Sequence, residues 1–195
     1  MFSRSKVLCS FKITHSRMLS VPEDILEGCR RKERAAQEQL YRLCYEPYLR
    51  LCLRYAGNRS DAADILNKAF FNILTRIDQY RGDGNFAGWM KRIVVNAAVD
   101  YVRSNSRFRY HEPVENAGEV PGQSLPDQEL VRHDLLQMLQ QLPFTTASVF
   151  NLFAMEGYSH REVGEMLGIT EGNSKWHLHY ARQILQQQLK TAAAL

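Results

Sequence analysis

Between Tyr110 and Val131 the chain carries Glu112, Glu115, Glu119, Asp127 and Glu129, no lysine or arginine, three prolines and two glycines. A segment of that make-up cannot bury enough apolar surface to offset the entropy of ordering it, so it reads as a linker between two folded bodies. Both flanks place apolar residues at three- and four-residue steps, and neither shows the alternation of a strand or an internal repeat. The expectation is an all-α protein of two small helical domains, residues 23–108 and 129–195, joined by a flexible acidic linker at 109–128 and preceded by a tail at 1–22. Hydrophobic residues make up 45% of the 195 positions, enough for packed cores.

No apolar run reaches the roughly 18 residues of a membrane span, so membrane insertion is not expected. Cys9, Cys29, Cys44 and Cys52 lack the spacing of a zinc site or a disulfide scaffold. They suit a reducing cytoplasm, with Cys44 and Cys52 read as core rather than as metal ligands or redox groups. The formal net charge of +4 rests on Arg4, Lys6, Lys12 and Arg17. Without them, as for a start at Met18 instead of Met1, the remainder is formally neutral, so total charge alone does not argue for nucleic acid. The apolar residues of this basic stretch are too scattered for a secretory signal, and a tail or an early-called start is favoured over a transit peptide.

In the first domain Leu40, Leu43, Cys44, Tyr48, Leu51, Cys52 and Tyr55 form one face of a helix over about 33–56, with Pro47 placed to kink it. Pro22 suits the first turn of a shorter helix before it. Ser60 reads as the cap of a helix ending near Tyr80, with Ile65, Leu66, Ala69, Phe70, Ile73 and Ile77 as its stripe. Arg81 to Asn85 reads as a tight loop, and Asn85 as the cap of a helix over 86–104. That helix turns Phe86, Met90, Ile93, Val94, Ala97 and Tyr101 inward and aligns Arg92, Asn96 and Arg103 on another face.

In the second domain Leu130, Leu135, Met138, Leu139 and Leu142 mark a helix stopped by Pro143, and Val149, Phe150 and Phe153 a second one closed by Gly157. Ser159 and Glu162 fit a capping box, in which each side chain satisfies a free N–H of the other at a helix start. That helix runs through Val163 and Leu167, with small Gly164 where another helix crosses. The chain then turns at Gly168-Ile169 and restarts with Thr170 as cap of a helix carrying Leu178, Ala181 and Leu185. This is a helix-turn-helix pattern, an ordinary helical hairpin being the alternative.

The second helix of such a motif enters the major groove. Here it offers Glu171, Asn173, Lys175, Trp176, His177, His179 and Arg182, groups able to meet base edges or phosphate. Each alone also fits a solvated surface, and Trp176 also fits a partner helix; the histidines diverge too far to share a metal. In the first domain Phe86, Trp89, Arg92, Asn96, Tyr101 and Arg103 mix aromatic, amide and cationic groups, as single-stranded DNA requires, although aromatic residues on helices more often serve a core.

Four blocks together resemble the extracytoplasmic-function group of RNA polymerase sigma factors. They are Leu40-Tyr41 through Tyr55 with Gly57-Asn58; Asp61-Ala62-Ala63-Asp64-Ile65 through Phe70; Phe86-Ala87-Gly88-Trp89-Met90-Lys91-Arg92-Ile93 with Asn96 and Asp100 to Arg103; and Ser159 to Arg182. The resemblance implies a first domain that binds the clamp of core RNA polymerase through Asp61, Asp64, Ile65, Lys68 and Phe71. It implies melting of the minus 10 element of promoter DNA through Arg81, Phe86, Trp89, Arg92, Asn96 and Arg103, with a flipped base held in the loop near Asn96. It implies minus 35 recognition by the helix-turn-helix residues above, an acidic linker threading polymerase channels, and an anti-sigma factor as partner.

Two departures stand out: Asn67-Lys68 replaces the family's usual Gln-Glu, and Ser174 stands where Val is common, its hydroxyl expected on the backbone of Thr170. His177 and Tyr180 also replace commonly basic positions, leaving Lys175 and Arg182 to carry minus 35 affinity. No catalytic cluster, metal site, cofactor motif or small-molecule substrate is expected. A polymerase-independent helix-turn-helix regulator is the alternative, and an interaction adaptor a third reading.

Overall fold

A computed structural model describes residues 20–82, 85–106, 137–139 and 141–192. These are helices and short turns, with no strand among the described residues. Residues 1–19 of the tail, the linker, Leu130 and Leu135 lie outside them.

The first helices are α1 (Glu23–Arg30), α2 (Arg34–Leu53), α3 (Arg59–Thr75) and α4 (Phe86–Ser106), with a 3₁₀ turn at Ile77–Gln79. Pro22 stands just outside α1, its carbonyl accepting from the N–H of Leu26 at 3.2 Å. The close approach of α1 to α2 depends on Gly28, where a Cβ would lie 2.6 Å from that of Ala36. Leu40, Leu49, Cys52, Leu66, Ile73, Met90 and Val94 fill the interior. All six residues of the expected α3 stripe are buried. Cys29, Cys44 and Cys52 are free thiols in this interior, and burial pushes Cys44 and Cys52 up to about 12.

Several local expectations are corrected here. α2 runs unbroken through exposed Pro47 and ends at Leu53. Leu43, expected in the core, is 40% exposed; it lies one turn before Pro47 on the solvent side of α2. The cap of α3 is Asn58 and not Ser60: the Asn58 Oδ1 accepts from the N–H of Asp61 at 2.8 Å, so the helix has already begun at Ser60. α3 stops at Thr75, whose hydroxyl donates to the carbonyl of Phe71 at 3.0 Å, and the 3₁₀ turn covers the stretch expected to remain helical. α4 continues to Ser106; Ile93 is only half-buried, while Val95, Ala98, Val99 and Val102 join its inner face. The described residues divide into two compact units, and the division falls within the last turns of α4, after Tyr101.

In the second unit residues 137–139 are helical and Leu139 and Leu142 are buried. α5 (Phe144–Phe150) runs into a π-helical turn at Asn151–Met155, followed by α6 (His160–Leu167) and α7 (Glu171–Ala192). The capping box forms as the sequence indicates: the Ser159 N–H donates to Glu162 Oε2 at 2.8 Å and the Glu162 N–H to Ser159 Oγ at 3.3 Å. Gly168 turns the chain at φ +71°, and Thr170 Oγ1 accepts from the Asn173 N–H at 3.1 Å to cap α7. A Cβ on Gly164 would meet the Ile169 carbonyl at 2.8 Å, so glycine permits the tight passage of α6 against this turn. Val149, Leu152, Val163, Leu178, Ala181 and Leu185 form the core. No helix among the described residues is long and apolar enough to cross a membrane.

Candidate polymerase and nucleic-acid interfaces

On α3 the expected polymerase-facing residues separate into two sets. Asp64 and Lys68 are exposed, and Phe71 holds a large ring 67% in solvent. Ile65 is 3% exposed and belongs to the core, so its assignment to a surface contact is withdrawn. The half-buried Asp61 carboxylate accepts the Tyr101 hydroxyl at 2.6 Å and the Asn58 amide at 3.1 Å, which ties the start of α3 to α4. Asn67 is likewise occupied, accepting from the Tyr41 hydroxyl at 2.9 Å.

At the start of α4, Asn85 Oδ1 accepts from the N–H of Ala87 at 2.9 Å, the expected cap. Phe86 and Trp89 stack with ring centroids 5.5 Å apart, and Tyr80 meets them at 5.0 and 5.8 Å. Phe86 is only 9% exposed and forms the inner wall of this cluster, so it is corrected from base platform to support. Trp89 is half-buried, while Arg81, Arg92, Asn96 and Arg103 are exposed.

Two further residues bear on this loop, and sequence reasoning missed both. Arg30 of α1 donates to the Tyr80 carbonyl at 3.1 Å, and the Tyr48 hydroxyl of α2 donates to the Ala87 carbonyl at 2.9 Å. They hold the two shoulders of the loop from partners 50 and 39 residues away, a relation no local spacing encodes. Burial raises the Tyr48 pKa, which keeps the hydroxyl a donor.

On α7, Glu171, Asn173, Lys175, Trp176, His179 and Arg182 are exposed, and Lys175 pairs with Glu171 at 2.6 Å. The pairing with Lys175 holds the Glu171 carboxyl below its usual range. His177 is corrected: its Nδ1 lies 3.0 Å from the hydroxyl of buried Thr146 on α5, so the ring orients α7 rather than reaching outward. Ser174 is corrected too. Its buried hydroxyl meets His160 Nδ1 at 2.9 Å rather than the Thr170 backbone, and the His160 ring stacks on Phe153 at 4.1 Å. Burial, then the positive charge of Lys175, lowers the pKa of His160; burial alone lowers that of His177. Both are bonded as neutral imidazoles near neutral pH. Among the described residues no His, Cys, Asp and Glu gather as metal ligands.

A helical unit bearing exposed cations and an amide, followed by a helix-turn-helix, is the architecture of a DNA-directed factor. Two family models match in that order, Sigma-70 region 2 over residues 40–108 and Sigma-70, region 4 over residues 132–185. The ECF RNA polymerase sigma factor SigE of Mycolicibacterium smegmatis is 31% identical over 158 residues, covering 78% of this chain and 61% of that protein. The ECF RNA polymerase sigma factor SigW of Bacillus subtilis is 29% identical, covering 79% of this chain and 84% of that protein. In fold, the chain is similar to the sigma factor RpoE solved with the anti-sigma factor NepR from Bartonella quintana, with a TM-score of 0.50, 21% identity and coverage of 78% of this chain and 96% of that one. The chain belongs to the sigma-70 family, in its extracytoplasmic-function group, and acts as a sigma factor in transcription initiation.

Proposed function

We propose that this sigma factor divides its work between the two units, binding core RNA polymerase and opening promoter DNA with the first and reading the minus 35 element with the second. The observation that carries this reading is the exposed face of α4, where Arg92, Asn96 and Arg103 stand clear of the core beside the outer ring of Trp89. Cations neutralise phosphate, an amide reads an unpaired base edge, and an indole offers a stacking surface. Arg81 lies on the loop before them.

Asp64, Lys68 and Phe71 supply the polymerase contact, Phe71 because an exposed ring of that size gains most from being covered. Asn173, Lys175, His179 and Arg182 meet the minus 35 duplex, and Glu171 limits how freely Lys175 does so. The polymerase supplies the chemistry, so the chain is a specificity factor and not an enzyme, working in the cytoplasm. An anti-sigma factor covering the polymerase-binding face is the expected inhibitor, and the acidic linker, outside the described residues, passes through basic polymerase channels.

The test is transcription of genomic DNA by core bacterial RNA polymerase with and without the purified chain, followed by sequencing of the run-off products. Discrete starts that depend on the chain are expected; binding to duplex sites without any new start would instead make it an ordinary regulator. On a promoter found this way, Asn96→Ala should reduce permanganate reactivity of the opened strands about ten-fold while leaving duplex binding within two-fold, magnitudes in the range of one lost base contact. Equal loss of both would remove Asn96 from strand opening.

A further inference from the structure

Trp176 is the least economical residue on the surface of the second unit: 58% exposed, on the helix that would enter the major groove. At 3.6 residues per turn it shares a stripe with Gly172 and Gln183 directly opposite the buried Ser174, Ala181 and Leu185. It therefore stands at the centre of the outward face. Its ring is also held before anything binds, stacked on Tyr180 with centroids 5.2 Å apart and planes 20° from parallel, and met edge-on by His177 at 4.9 Å. His177 is itself fixed by Thr146.

Gly172, one turn nearer the start of α7, has a second property. A Cβ there would find nothing closer than Thr170 Oγ1 at 3.9 Å, an ordinary contact, so the fold does not demand glycine at this position. What glycine provides is an absence of side chain on the outward stripe, where an external surface can come close to the helix backbone. Lys175 and Arg182 lie together along one side of the stripe, where the positive charge of Arg182 suits a polyanion while Lys175 is paired with Glu171.

We infer that the Gly172–Trp176 stripe is a thymine-reading element: the backbone at Gly172 approaches the minus 35 duplex closely and the indole of Trp176 packs on the C5 methyl of one thymine. Of the four bases only thymine presents an apolar group in the major groove, so a rigid aromatic plane there selects it over cytosine and both purines. This rests on the assignment of α7 to the minus 35 element, and it makes Trp176 a specificity residue rather than a source of general affinity.

The experiment uses the holoenzyme on a promoter mapped by run-off transcription, with each minus 35 thymine replaced singly by deoxyuridine, which removes only the methyl. At one position wild-type binding should weaken about four-fold, the worth of one buried methyl-sized group. With Trp176→Ala the thymine and uracil promoters should bind alike, and Trp176→Phe should keep part of the difference. The side chain is exposed, so neither change touches the core. A mapped promoter on which no uracil substitution matters, or a preference that survives Trp176→Ala, overturns the inference alone. Methyl preference retained while Trp176→Ala weakens binding to core polymerase makes the aromatic face a protein contact and also overturns it. Absence of any defined start overturns the reading beneath it.

Discussion

Thr146, Ser148, Asn151 and Ser174, the buried polar side chains among the described residues, all lie in the second unit, whereas the interior of the first is built of aliphatic, aromatic and thiol groups. The first unit gains its stability from burial that has little directional demand, and places its directional bonds at part-buried positions around that interior, where Arg30, Tyr48 and Asp61 fix the elements around α4. The second unit sets two hydroxyl–imidazole pairs against the inner side of α7. Such bonds add about 1 kcal/mol each when made and cost more when one partner is orphaned, so they fix orientation more than they add stability. The difference teaches that a helix whose rotation decides which side chains face outward is held by bonds with direction, while a bundle that only has to stay closed can rely on packing.

The strongest challenge to that contrast is Leu66→Ala, which opens a cavity in the first unit and should cost about 2–5 kcal/mol. Denaturant unfolding followed through Trp89 in a Trp176→Phe background reads it, and an unshifted midpoint would mean that packing there is not what holds the unit. A smaller loss, about 1–2 kcal/mol, is expected for Ser174→Ala, which leaves the His160 ring nitrogen without its partner. It should be non-additive with His160→Phe when followed through Trp176 in a Trp89→Phe chain, and simple additivity would show that the pair is not coupled.

The smallest and most discriminating effect is that of pH. His160 and His177 have folded pKa values held below the ordinary one, so as pH falls through about 6.5 the unfolded chain takes up protons that the folded unit does not. Their contribution is complete above that pH and is lost on going down through the folded values. Cys44 and Cys52 behave oppositely: raised from 9.0 to about 12, they contribute below pH 9 and their contribution fades as pH climbs through that interval. Mild acid should therefore weaken the second unit first and alkali the first, as read by unfolding midpoints from pH 5 to 10. An equal response of both units to acid would break the comparison.

Elements whose causes are local were legible in the sequence. The capping box of Ser159 and Glu162, the Thr170 and Asn85 caps and the Gly168 turn depend on neighbours three residues away or fewer, and all formed. Asn58 and Ser60 are both good capping residues two positions apart, and only the observed bond to Asp61 decides between them. Periodicity placed Ile65 and Phe86 toward the core, where they are, while the family resemblance also gave them contact roles that their burial does not allow; His177 was assigned outward, but which way it points depends on Thr146 packed against it. Ser174 found its hydrogen-bond partner 14 residues away and not on its own helix. Arg30 and Tyr48 were invisible for the same reason, since their acceptors are backbone carbonyls that spacing cannot single out.

The contact between Gly28 and Ala36 makes α1 a lever. A single methyl group at position 28 would pry the helix from α2, and Arg30, half a turn further on, would be drawn off the Tyr80 carbonyl at the shoulder of the loop. The motion would reach the Tyr80 end of the loop without altering any exposed side chain of α4. Bulk at position 28 would thus set the geometry of that loop from a helix that carries none of the exposed side chains of α4.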